Sequence, residues 1–132
     1  MRAAASSAAA AWLGIEVTSL GEREAALLMP TRPEMGNRAD VVHGGFIALL
    51  ADSAMGRAMS TVLPDGERHY SFDLKMNFIS TGRIGERLAA VARVLHSGRR
   101  TGVAECRVEG EDGRLVATAT ATFVVHLPAQ ES

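Results

Sequence analysis

The apolar positions of this chain follow a helical period once and a strand period several times. From 46 to 63 the residues Phe46, Ile47, Leu49, Leu50, Ala51, Ala54, Met55, Ala58, Met59, Val62 and Leu63 cover most of a helix circumference. That spacing predicts a long helix over about 43–63, buried on nearly all sides. Past the turn residues Pro64-Asp65-Gly66 the period drops to two. Tyr70, Phe72, Leu74, Met76 and Phe78 alternate with polar residues, which predicts a half-buried strand. Leu88 to His96, Thr101 to Glu109 and Arg114 to Val125 read as three more strands, separated by Ser97-Gly98-Arg99-Arg100 and Gly110-Glu111-Asp112-Gly113. In the last strand Ala117, Ala119, Ala121 and Phe123 fall on one face and Thr118, Thr120 and Thr122 on the other.

Ahead of the long helix the signals are weaker. The alanine-rich start, residues 1–13, reads as a short helix stopped by Gly14. It carries one early arginine, as an export leader does, but Ser6-Ser7 interrupt it and leucine is scarce, so a helix is the better reading. Ile15 to Val17 and Glu24 to Met29 read as short strands, the second stopped by Pro30. Thr31 to Val42 is loop, and residues 127–132 form a polar tail. A helix that is apolar all round cannot lie on a flat sheet with its back in water. The expected fold class is therefore α+β, a curved antiparallel sheet of about six strands wrapped around one central helix. The chain reads as a single domain over 1–132.

Composition narrows the function classes. Hydrophobic residues make up 47% of the 132, and the formal net charge is −1, so no basic excess points to nucleic acid. No apolar run approaches the ~20 residues that span a bilayer. The one cysteine, Cys106, excludes an internal disulfide and fits a cytoplasmic setting. It alternates with Ala104 and Val108, as a buried filler does. His43, His69, His96 and His126 lie far apart without ligand spacing, so no metal is expected. No G-x-S-x-G elbow and no phosphate loop is present.

The chemistry gathers around the helix. Asp52 interrupts its apolar surface, and a carboxylate there is costly unless it is bonded or useful. His43-Gly44-Gly45 opens the helix, where bare backbone N–H groups attract negative charge. Asn37 lies upstream, and Ser71 sits in the next strand. Taken together, Asn37, His43-Gly44-Gly45, Asp52 and Ser71 resemble the hotdog-fold acyl-CoA thioesterases of the phenylacetate-degradation (PaaI-like) group, within the 4-hydroxybenzoyl-CoA thioesterase superfamily. The likeness extends over nearly the whole chain, from Leu13-Gly14-Ile15 to Leu115-Val116-Ala117. Asp40 departs from it, standing where that group commonly has glycine.

The resemblance implies hydrolysis of an acyl-CoA to a carboxylate and coenzyme A, with coenzyme A as part of the substrate and no separate cofactor. Gly44 N–H would polarise the carbonyl. Asn37 and His43 would place the thioester, Asp52 would serve as general base or nucleophile, and Ser71 would orient water or the carboxylate. Each has a structural alternative: a buried carboxylate in a network, a helix cap, a turn asparagine, a polar strand face. Arg83, Arg99 and Arg100, near turns, are candidates for the coenzyme A phosphates. Gly44 and Asp52 are eight residues apart, ~12 Å along one helix, too far to act on one carbonyl. A two-fold homodimer with shared sites is therefore expected, its further pairing into a homotetramer left open. Other readings are a non-catalytic acyl-CoA or lipid-binding hotdog protein and a hotdog dehydratase or hydratase.

Overall fold

The structure, a computed structural model, describes residues 7–129. Helix α1 (Ala8–Leu13) starts on Ser7, whose hydroxyl accepts the Ala10 N–H, and stops on Gly14 at φ 73°. The part of the expected helix over 1–6 lies outside the described residues, as do 130–132 of the expected tail. Strands β1 (Glu16–Gly21) and β2 (Glu24–Pro30) lead through a 3-10 turn, Pro33–Met35, to helix α2 (Gly44–Ser60). Then follow β3 (Arg68–Phe78), β4 (Arg87–Ser97), β5 (Thr101–Glu109) and β6 (Leu115–Leu127).

The six strands form one antiparallel sheet in the order β1-β2-β4-β5-β6-β3. The sheet wraps the long helix, as expected for α+β. Its inner face is floored with small residues: Ala90, Ala92, Ala104, Ala117, Ala119 and Ala121 are all buried. Short side chains let the helix sit close, and Ile47, Leu50, Ala51, Ala54, Met55, Ala58 and Met59 fill the space between. Cys106 is part of this floor, and burial pushes its thiol up to about 12.

Two expectations need correcting. The helix is not buried on nearly all sides. Ala48, Leu49, Asp52, Ser53, Gly56, Arg57 and Ser60 form a half-buried stripe, because one curved sheet covers only part of the circumference. The helix also ends at Ser60, where Thr61 takes over as cap and Pro64 disfavours further helix.

The strand from Tyr70 to Phe78 is not half-buried either. It leaves its chain neighbour β4 and pairs with β6 at the far edge of the sheet. Tyr70, Phe72, Leu74 and Phe78 are exposed there, because no further strand among the described residues pairs beyond β3. The alternation was right for Leu74, Met76 and Phe78, which lie opposite Ala121, Ala119 and Ala117. Register shifts between Arg68 and Tyr70 and between Ser71 and Asp73 break the pattern above them.

Candidate active site

The loop before α2 is held from several sides. Asn37 Oδ1 accepts the N–H groups of Ala39 at 2.9 Å and Val41 at 3.3 Å. Asp40 completes this tight turn at φ 60°, a left-handed conformation that aspartate tolerates better than most side chains. The Val42 N–H donates to Gly82 O at 2.9 Å, and the His43 N–H to Met35 O at 2.8 Å. Residues between β3 and β4 thus fix where α2 begins.

His43 caps the helix. Its Nδ1 accepts the Gly45 N–H at 3.0 Å, so in the neutral ring Nε2 carries the proton and is a donor. Gly44 is the first helical residue, so its N–H has no intrahelical partner. Phe78 explains why position 44 is glycine in packing terms: a Cβ there would lie 3.1 Å from the Phe78 ring. Gly36, Asn37, Arg38, Ala39 and His43 line an open depression at this end of the molecule.

Asp52 lies two turns along the half-buried stripe and opens into a different cavity, of about 360 Å³. Ser71 lines it too, together with Leu27, Gly56, Arg57, His69, Tyr70 and Phe123. Asp52 Oδ1 is shielded from solvent and has no hydrogen-bond donor among the described residues. A buried acceptor left open is costly in a structural network, so this atom fits a group kept for chemistry. The structure therefore brings Asn37 together with His43, and Asp52 together with Ser71, but it does not bring the two pairs together within one chain.

The three arginines are also apart. Arg83 lies beside the helix start, where Val41 bridges to it, and its guanidinium meets Asp112 at 3.4 Å. Arg99 and Arg100 form the exposed β4–β5 turn, where Arg100 O accepts the Val125 N–H. A larger cavity, of about 530 Å³, lies on the outer sheet face among Arg93, Glu105, Arg107, Thr118 and Thr120. It contains none of the expected site residues.

The profile of the thioesterase superfamily matches residues 39–117, a span from the turn after Asn37 to the start of β6. The chain belongs to the thioesterase superfamily. It is a thioester hydrolase with the hotdog fold, in line with the sequence reading. The acyl-coenzyme A thioesterase PaaI of Escherichia coli K12 is 30% identical over 105 residues, 80% of this chain and 73% of the relative. The medium/long-chain acyl-CoA thioesterase YigI of the same organism is 31% identical over 128 residues, 86% of this chain and 82% of the relative. The solved structure of E. coli PaaI superposes with a TM-score of 0.86 at 28% identity, covering 93% of this chain and 87% of that one.

In this thioesterase the sequence reading passed over two residues. Arg38 lines the Asn37–His43 depression, and its signal was a cation directly after the asparagine. His69 lines the Asp52 cavity. Strand alternation assigned it to the polar face, and only the register shifts beside it turn it inward.

Proposed function

We propose that this thioesterase hydrolyses acyl-CoA thioesters at sites built from two copies of the chain. The printed activities of PaaI and YigI support the acyl-CoA class. The observation that carries the shared site is the separation of the two half-sites: Asn37 and His43 line one cavity, Asp52 and Ser71 another. Gly44 and Asp52 stand ~12 Å apart along α2, whereas a base must reach a water ~3 Å from the reacting carbon. An antiparallel second helix would bring Asp52 of the partner subunit alongside Gly44. The exposed edge strand β3, with Tyr70, Phe72 and Leu74 uncovered, supports such a pairing. A homodimer would carry two equivalent sites, and a dimer of dimers would leave them intact.

At each site Gly44 N–H would stabilise the developing oxyanion, aided by the positive end of the α2 dipole. His43 Nε2–H and the Asn37 amide would hold the thioester. Asp52 of the partner subunit would activate water as general base, or attack as nucleophile, with Ser71 orienting the carboxylate or the water. The acyl group would enter the apolar cavity beside Leu27 and Phe123. The antiparallel arrangement also carries the partner subunit's Arg99 and Arg100 toward the end where Arg83 lies, a cationic setting for the coenzyme A phosphates. Coenzyme A enters only as part of the substrate, and the setting is cytoplasmic.

A panel of acyl-CoAs with a free-thiol reagent tests the reading. Thiol release by the wild type and a 10²–10⁴-fold loss in Asp52→Asn are expected. Binding without turnover would favour a carrier, and dehydration without thiol a dehydratase.

A further inference from the structure

His69 is a titratable group that the mechanism above does not use. The register shift that spans it, between Arg68 and Tyr70, and the one that follows, between Ser71 and Asp73, put its ring on the inner face of β3, where it meets Phe123 of β6 edge-on, with centroids 5.4 Å apart and planes at 86°. On its other side lies α2. The contact of the ring with the Gly56 backbone favours its protonated form. A Cβ at Gly56 would sit 3.3 Å from His69 Cε1, so glycine gives the imidazole its close seat on the helix. Gly56 is one turn from Asp52, and both line the same cavity as His69.

We propose that His69 is a positioning residue for Asp52: as neutral imidazole it leaves the carboxylate free to act, and as imidazolium it draws the carboxylate into an ion pair. The proposal rests on the reading of Asp52 as base or nucleophile. In the neutral ring one nitrogen donates and the other accepts until it is protonated. Burial pushes the imidazole below its usual range, opposed by Asp52 and by the bond to Gly56. A pKa lowered from 6.5 favours the neutral ring near pH 7. An adjacent cation weakens a carboxylate as a base, because it favours the charged form over the protonated one.

The other groups around His69 are accounted for. From α2, Asp52 and Arg57 line the cavity with it. From β2 it shares the cavity with Leu27, and from β6 with Phe123. On β3 itself, Arg68 donates to Tyr70 OH and to Pro128 O, and Glu67 pairs with His126 at 2.5 Å. Asp52 is the carboxylate whose charge favours the protonated form of His69.

The test is the pH dependence of kcat/KM with octanoyl-CoA or phenylacetyl-CoA, whichever is cleaved faster, followed with a pyridyl disulfide that reports thiol in acid. His69→Gln keeps a polar side chain and removes the titration. The acid limb of its kcat/KM profile should move to lower pH than in wild type, because no imidazolium can form beside Asp52. His69→Phe keeps the ring on Phe123 and should give the same displacement. An unchanged acid limb in a folded His69→Gln protein overturns the proposal. A second readout does not depend on turnover. In Asp52→Asn the proton resonances of His69, assigned by their absence in His69→Gln, should titrate at lower pH than in wild type, because the carboxylate that raises its pKa is gone. No movement would count equally against the coupling. Full turnover by Asp52→Asn would instead refute the role of Asp52, whatever His69 does.

Discussion

His43 shows how one residue serves fold and site together. Its Nδ1 is committed to the Gly45 N–H, and that commitment fixes which nitrogen is left to donate. Asn37 is similar: its Oδ1 closes the turn through Ala39 and Val41, and the amide nitrogen remains for a ligand. The structural alternatives raised from the sequence, a cap and a turn residue, are therefore observed and are compatible with the proposed roles. Arg99 and Arg100 offer a simpler test at this scale. If they meet the phosphates, replacing both with alanine should raise KM for acyl-CoA several-fold, with little change for an acyl thioester of a small thiol. Equal effects on both substrates would remove them from the binding site.

Among the elements, the connection between β3 and β4 holds the loop before α2 in place. Glu86 anchors it. One carboxylate oxygen accepts the Arg83 N–H at 2.5 Å and meets Arg114 at 2.6 Å, and the other accepts the Glu111 N–H at 3.0 Å. Burial pushes the Glu86 carboxyl up, but these partners together outweigh it and hold it below its ordinary value of 4.5. A lowered folded pKa contributes stability that is present above 4.5 and lost as pH falls through the lowered value. Denaturant melts of wild type and Glu86→Gln should therefore differ most near neutral pH and converge in acid. A gap that persists well below pH 4.5 would contradict this. This network was not legible in the sequence, because its bonds from Glu86 to Glu111 and Arg114 join residues on separate elements. The long helix and the sheet strands were legible, since their periods are local. β1 was read too short because Thr18 to Gly21 do not alternate, and pairing with β2 extends them into the strand. The candidate site was half legible: Asn37, His43, Gly44 and Asp52 share one stretch of chain, whereas His69 joins the Asp52 cavity only through the irregular register of β3.

At the scale of the whole molecule, the half-buried stripe of α2 and the outer edge of β3 are uncovered among the described residues. Both would be covered by a second copy, which is how the proposed site becomes complete. Phe72→Asp places a charge on that edge, where Phe72 is 61% exposed. It should shift sedimentation toward monomer and reduce turnover in step with association, since isolated chains hold only half-sites. A Phe72→Asp protein that is monomeric and fully active would be incompatible with shared sites. The most direct measurement mixes two inactive variants, Asp52→Asn and His43→Ala, under conditions that exchange subunits. With sites shared across the two-fold, each mixed dimer holds one intact site and one doubly damaged site. Random pairing makes about half the dimers mixed, so about a quarter of wild-type activity should return. No recovery, with exchange verified by differently tagged chains, would contradict a site assembled from Gly44 of one chain and Asp52 of the other.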